Sequence, residues 1–249
     1  MQFHCHNKLV GILCDGVSSS FEPEVGAQET CRTLSDGIKE RLEAKQALRY
    51  PDLYKSAMKQ LLQQKKAVRS ANQNGQSWYA TTAITAVVGE GIAEFSYVGN
   101  GTILEIRQDW FSLPPQLPTP WGVTNYLNPH SRFVDGQNRL TRTLQAKSDY
   151  SSWKPDVVSL TQGGAEGSYF LICTDGLHSS DEVATAWGPD ENYYIVESRR
   201  LLIFLKLLRH YHANGWEQRQ YFGEELYEKF QAEQLVADDL SFILFVPEP

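Results

Sequence analysis

The stretch Tyr169-Phe170-Leu171-Ile172-Cys173-Thr174-Asp175-Gly176 reads as a buried strand that ends in a turn. A short apolar run of this length fits a core strand, and Asp-Gly is a pair that leaves one. The same design opens the chain in Leu9-Val10-Gly11-Ile12-Leu13-Cys14-Asp15-Gly16. A third acid, Asp238, stands beside Asp239 just ahead of the apolar run Leu240 to Val246. Aspartates at the ends of three strands can converge on one hard cation.

Outward from these strands, residues 24–49 place Val25, Leu34, Ile38 and Leu42 at helical spacing. Pro51 opens a second helix, whose stripe of Leu53, Ala57, Met58, Leu61 and Leu62 runs to about Asn72. From Tyr79 the pattern changes to strands. The runs Tyr79–Val88, Ile92–Val98 and Ile103–Arg107 are separated by Gly89-Glu90-Gly91 and Gly99-Asn100-Gly101, which predicts an antiparallel meander. Pro114, Pro115, Pro118 and Pro120 place a surface loop between Trp110 and Trp121, with irregular chain to Asn138. Short strands are expected at Arg139–Leu144 and Val157–Leu160. Beyond Asp175, a short helix from Ser180, a longer one over Glu191–His212 stopped by Gly215, and a last one over Trp216–Gln231 precede the closing strand. Strand, two helices, many strands, helices, strand is an α+β layered plan, not a βαβ alternation. With no repeat or linker, residues 1–249 are expected to form one domain.

Composition narrows the function. Hydrophobic residues make up 41% of the 249, enough for a sizeable core, and the net charge is −7. That balance argues against a nucleic-acid partner, which selects a basic face. Cys5, Cys14, Cys31 and Cys173 show no paired spacing and read as reduced thiols of a cytoplasmic protein. No apolar run approaches the roughly 18 residues of a membrane span, and the start lacks a signal-peptide layout.

Mg²⁺ and Mn²⁺ favour oxygen ligands in near-octahedral geometry and keep several waters, so two or three strand-end carboxylates suffice. A glycine after the aspartate lets the backbone come close enough for a carbonyl to join. Such a cation activates water and offsets charge on phosphoryl oxygens. Each Asp-Gly pair taken alone reads more simply as an ordinary turn.

In chain order the motifs resemble the metal-dependent serine/threonine protein phosphatases of the 2C family. Leu13-Cys14-Asp15-Gly16 is similar to the first apolar-Asp-Gly motif of that family. Ala80-Thr81-Thr82-Ala83 resembles its Gly-Thr-Thr-Ala, and Tyr97-Val98-Gly99-Asn100 its Val-Gly-Asp turn. Leu140-Thr141-Arg142-Thr143-Leu144 resembles its Leu-Thr-Arg-Ala-Leu. Leu171 to Leu177 is similar to its Leu-Cys-Ser-Asp-Gly-Leu, and Asp238-Asp239-Leu240-Ser241 to its Asp-Asn-Ile-Thr. The resemblance spans about Leu9 to Val246. It implies a four-layer αββα sandwich of mostly antiparallel sheets flanked by helix pairs. It also implies Mn²⁺ or Mg²⁺ held by Asp15, the Gly16 carbonyl, Asp175 and Asp238, the three aspartates being the catalytic residues. The implied reaction is hydrolysis of a phosphoserine or phosphothreonine ester, with a phosphorylated protein as substrate and a protein kinase as counterpart.

The chain departs from that family in three places. No Asp, Glu or Arg precedes Asp15, where the family has a phosphate-gripping arginine and an acidic ligand. Ser18-Ser19 replaces a glycine pair, and Asn100 stands where the family has an acid for an accessory metal. Asp239 replaces an asparagine. These departures support a second reading, a pseudophosphatase that binds a phosphoprotein or regulates without catalysis. Among other polar residues, His178 beside Asp175 could donate a proton to a leaving alcohol, and Arg142 could approach phosphate. His130 is also of interest, and a plain loop histidine is the simpler reading for His178. His4, His6, His210 and His212 lack zinc spacing and read as solvated. Ser18, Ser19 and Ser20 have no nucleophile elbow around them.

Overall fold

The computed structural model describes residues 1–68, 77–89, 91–114, 122–134, 137–147, 153–160, 167–177, 183–187, 192–196, 198–235 and 240–247. In chain order the elements are β1 (Gln2–Cys5), β2 (Lys8–Gly16), α1 (Pro23–Glu43), α2 (Tyr50–Ala67), β3 (Thr81–Gly89), β4 (Ile92–Val98), β5 (Thr102–Ile106), β6 (Val123–Asn125), β7 (Ser131–Val134), β8 (Gln137–Leu140), β9 (Asp156–Leu160), β10 (Tyr169–Cys173), β11 (Val183–Trp187), β12 (Asn192–Val196), α3 (Arg199–Asn214), α4 (Phe222–Ala232) and β13 (Phe242–Phe245). The chain divides into two compact units, Met1–Asn100 with Pro129–Glu166, and Gly101–Asn128 with Gly167–Pro249.

The first unit is built on an antiparallel sheet in the order β1-β2-β3-β4-β9. Val10 and Ile12 alternate along β2 and bury against Leu34 and Ile38 of α1 and Leu53, Tyr54 and Leu61 of α2. The apolar stripe read from the sequence is therefore what seats both helices. α1 begins with Pro23 in its first turn, where a missing N–H costs nothing. Near that start Gly26 is required by packing, because a Cβ there would lie 2.4 Å from the Tyr79 carbonyl oxygen. The Tyr54 hydroxyl crosses the core to donate to the Ser96 carbonyl at 3.1 Å. A hairpin of β7 and β8 completes the unit.

The second unit carries an antiparallel sheet in the order β11-β12-β6-β5-β10-β13. β10 lies between β5 and β13, with Leu171 opposite both Leu104 and Leu244. Its inward residues join Phe204 and Leu208 of α3 and Phe222 and Phe230 of α4 in one core. The α+β expectation holds: two antiparallel sheets, each with a helix pair.

Several boundaries differ from the sequence reading, among them β6 and β7 within the segment expected to be irregular. β1, which pairs with β2 from Gln2↔Gly11 to Cys5↔Lys8, was not expected. The start of the helix expected from Ser180 lies outside the described residues, and Val183–Trp187, where it would have continued, is strand. The helix expected from Glu191 starts only at Arg199, because Tyr193, Tyr194, Ile195 and Val196 pair with β11 as a hairpin. The expected helix at Trp216 begins as turns, and α4 proper starts at Phe222. Among the described residues no helix is long and apolar enough to cross a membrane.

Candidate active site

β2 delivers Asp15 and Gly16 to the end of the first sheet, half-buried and paired with Thr82 and Thr81 of β3. Thr81 Oγ1 donates to the Asp15 carbonyl at 2.7 Å, and Thr82 Oγ1 approaches it at 3.5 Å. Gly16 has no room for a side chain: a Cβ would meet the Pro23 carbonyl oxygen at 2.6 Å. The loop that follows folds back on a buried serine. Ser20 Oγ accepts from the Ala80 N–H at 2.8 Å and donates to the Ser77 carbonyl at 3.2 Å. Ser20 is thus a strut for the loop, in keeping with its rejection as a nucleophile.

The other motifs of this unit gather on the same two threonines. Leu144 exchanges both backbone hydrogen bonds with Thr81, each 2.9 Å. Gly99, at φ 101°, packs so closely on Thr82 that a Cβ would lie 2.4 Å from its Cγ2. The Gly99-Asn100 turn is held by His130, whose N–H donates to the Gly99 carbonyl at 2.8 Å and whose Nδ1 accepts from the Gly99 N–H at 3.0 Å. With Nδ1 accepting, the ring proton sits on Nε2 and donates to Asp156 Oδ2 at 2.8 Å. Tyr97 stacks on the ring at 5.3 Å. Arg142 Nη1 donates to Asp156 Oδ1 at 3.1 Å, and Nη2 donates to the Lys154 carbonyl. Arg142 is accordingly anchored in an ion pair, and its segment leaves β8 at Leu140 instead of continuing as strand.

Burial holds the His130 ring below the ordinary imidazole range; Asp156 opposes this and the Arg142 guanidinium adds to it. Burial alone would raise Asp156, but hydrogen bonds from His130 and Arg142 outweigh it and lower its pKa. The ring is therefore kept neutral and able to accept from Gly99, as the turn requires.

In the second unit β10 runs into a short 3₁₀ turn, Asp175–Leu177, with Asp175 half-buried and Gly176 and Leu177 buried. The preceding Thr174 is tied to the closing motif. Its N–H donates to the Ser241 carbonyl at 3.0 Å, and its Oγ1 accepts from the Ser241 N–H at 3.1 Å. Ser198 Oγ donates to the Leu177 carbonyl at 2.7 Å and fixes the far side of the turn. Asp238, Asp239 and His178 lie outside the described residues.

The Trp110 end of the proline-rich segment is buried and pinned to α3. Arg209 donates to the carbonyls of Leu113 and Trp110 at 2.9 and 3.0 Å and lies 4.0 Å from the Trp110 ring. His212, expected to be solvated, instead stacks on Phe111 at 3.9 Å and bonds the Tyr169 hydroxyl at 2.8 Å. The aromatic residues around α3 claimed it, and spacing along the helix gave no sign of them. His4, His6 and His210 are solvent-facing as expected.

Among the described residues no three His, Cys, Asp or Glu side chains form a group able to hold a metal. Asp15 and Asp175 are two of the three aspartates named from the sequence, and the third lies outside that set. The donors named from the sequence are all oxygens, a set that suits a hard cation that keeps waters better than zinc.

A family model described as "Protein phosphatase 2C" matches residues 1–191. Among solved structures, the serine/threonine phosphatase Stp1 from Staphylococcus aureus is 18% identical with a TM-score of 0.63, covering 100% of this chain and 88% of that one. The S. agalactiae serine/threonine phosphatase is 13% identical at TM-score 0.64, covering 99% and 91%. The Mycobacterium tuberculosis serine/threonine phosphatase PstP/Ppp is 11% identical at TM-score 0.56, covering 100% and 92%. At these identities the likeness is one of fold. No curated protein sequence matches the chain.

Proposed function

Because the chain belongs to the protein phosphatase 2C family, we propose that it hydrolyses phosphoserine or phosphothreonine esters of proteins with the help of Mn²⁺ or Mg²⁺. The observation that carries this reading is the end of β2, where two threonine hydroxyls and a glycine pressed on Pro23 fix the Asp15 backbone. A strand end held so firmly from behind is what a ligand needs if it is not to reorganise during turnover.

Asp15, Asp175, Asp238 and the Gly16 carbonyl would hold the cation, which when bound supplies Lewis acidity toward the phosphoryl oxygens and the attacking water. The residues themselves do the positioning. Thr81 and Thr82 orient Asp15, Thr174 and Ser241 orient Asp175, and the His130-held turn presents Asn100. Asn100 is a neutral amide and a weaker ligand for a hard cation than an acid, so an accessory metal on this turn would bind poorly. The proposed substrate is a phosphorylated protein, with a protein kinase as the opposing enzyme and the cytoplasm as its place.

The test is hydrolysis of p-nitrophenyl phosphate and of a phosphothreonine peptide with Mn²⁺ against chelator. Stimulated turnover that falls by about 10²–10³ in Asp175→Ala and Asp15→Ala supports the proposal. Full activity in chelator, or in either variant, contradicts it. The pseudophosphatase reading draws on β1, the strand beside β2, whose Gln2, Phe3, His4 and Cys5 include no acid and no arginine. Phosphopeptide binding that persists in chelator, with no turnover under any divalent ion, selects that reading.

A further inference from the structure

The second unit holds a cavity of about 560 Å³, walled by Gln108, Tyr169, His212, Gly215, Trp216 and Arg219. That volume lies in the range of small-ligand pockets, about 300–1,000 Å³. Tyr169 is the first residue of β10, so the cavity opens at the end of that strand opposite to Asp175. It is separate from the site described above.

Its aromatic wall is fixed from behind. The His212 ring stacks on Phe111 at 3.9 Å, and its Nδ1 bonds the Tyr169 hydroxyl at 2.8 Å. Tyr169 is buried and packs on Trp216 with ring centroids 6.0 Å apart. Trp216 leans in turn on Tyr211 and Phe222, at 5.7 and 6.2 Å. Rings held in this way lose little freedom when a ligand arrives, which spares part of the cost of binding. Gly215 leaves the wall open, since nothing lies within 4 Å of where a Cβ would stand.

The polar groups of the lining are uncommitted. Among the described residues Arg219 is in no ion pair, and the Gln108 amide, Trp216 Nε1 and His212 Nε2 have no hydrogen-bond partner. No acid stands among the described lining residues. The nearby acids are engaged elsewhere: Asp109 pairs with Arg107 at 3.1 Å, and Glu217 lines a different cavity.

We propose that this cavity binds a small planar aromatic anion, its ring against the Tyr169, His212 and Trp216 wall and its charged group on the Arg219 guanidinium. Offset stacking on fixed rings selects a planar ligand, and the guanidinium fork matches a carboxylate or phosphate. A cation is disfavoured because the formal charge of the lining is positive. Gln108, Trp216 Nε1 and His212 Nε2 serve polar substituents on the ring. An aromatic carboxylic acid and a nucleoside monophosphate share this chemistry. The proposal is independent of the phosphatase reading.

The experiment titrates the isotope-labelled full chain with β-naphthoate and, separately, with adenosine monophosphate. It follows the Trp216 indole N–H in proton–nitrogen correlation spectra, assigned with Trp216→Phe. Chelator is present throughout, so that the phosphate reports on no metal at Asp15 or Asp175. The expected result is a saturable shift of the Trp216 signal with at least one probe, and the tighter of the two names the source. Uncharged β-naphthamide should bind about tenfold more weakly than β-naphthoate. Arg219→Gln should weaken β-naphthoate by a similar factor and leave β-naphthamide unchanged; Arg219 is exposed, so the variant folds as the wild type does. No saturable shift at Trp216 with either probe overturns the proposal. So does equal affinity for naphthoate and naphthamide, or an Arg219→Gln variant that binds both as the wild type does.

Discussion

Among the described residues, the chain around Asp15 at the end of β2 has a strand on one side only. β1 pairs with β2 no further than Gly11, apart from Met1, whose amino group donates to the Ile12 carbonyl and whose carbonyl accepts from the Ile12 N–H, so Leu13 to Gly16 rely on β3. At the end of β10, by contrast, Phe170 to Cys173 are paired on both sides, with β5 and with β13. The sequences of the two ends are nearly the same, an apolar run and Asp-Gly. What differs is the support. Thr81 and Thr82 hydroxyls grip the Asp15 carbonyl and Gly16 is wedged against Pro23, in place of a second strand. Asp175 needs no such grip, because Thr174 and Ser241 extend the β10–β13 pairing one step beyond the last strand residues. One motif is stabilised by side chains and close packing, the other by backbone continuity.

The sharpest way to break this comparison is at the wedge. Gly16→Ala forces a Cβ to 2.6 Å from backbone that α1 holds in place, and overpacking of that kind costs about 1–3 kcal/mol. Urea unfolding measures it. Gly223→Ala is the control: nothing lies within 4 Å of that position on α4, so the substitution should stabilise by about 0.4–1 kcal/mol. Equal effects at the two glycines would mean that Gly16 is not wedged.

A smaller effect is expected at the other end. Thr174→Val removes the acceptor of the Ser241 N–H while keeping shape, and a backbone donor left without its partner there costs about 1 kcal/mol. The loss should appear as faster hydrogen exchange at the Ser241 amide, with the exchange of β2 unchanged. Exchange that quickens equally in β2 would show that the two ends are not separately supported.

The smallest effect is a pH dependence confined to the first unit. His130 has a depressed pKa in the folded chain, so between its folded and unfolded values the unfolded chain binds more protons. Stability is then full above the unfolded value of about 6.5 and falls as pH drops through it toward the folded value. Asp156, also lowered, keeps its contribution until pH falls below the carboxylate range. The melting temperature should thus decline between about pH 7 and pH 5, and His130→Gln should flatten the slope. An unchanged slope in that variant would remove His130 from the account.

The strand ends and the helix stripes were legible because each is written in consecutive or periodic residues. Ile12, Leu34, Ile38 and Leu61 announce a core by spacing alone, and the structure buries them together. The supports were not legible. His130 meets Asp156 across 26 positions, and Thr174 meets Ser241 across 67. No local pattern encodes such contacts. The missed hairpin of β11 and β12 has another cause: the apolar richness of Leu201 to Leu205 drew the helix backward over Asn192–Val196, where aromatic and β-branched residues favoured strand. Arg142 shows the same limit in a side chain. From the sequence it could have faced phosphate, and an acid fourteen positions away claimed it.

The central proposal is that Asp15 and Asp175, alike in sequence and differently supported, would serve one cation together with Asp238. Mn²⁺ titration followed by electron paramagnetic resonance tests this on the wild type and on Asp15→Asn and Asp175→Asn. The account predicts that each single substitution weakens the same tight Mn²⁺ site, and that the double variant loses little more than either alone. Two losses that simply add, or a tight site that survives both substitutions, would contradict it.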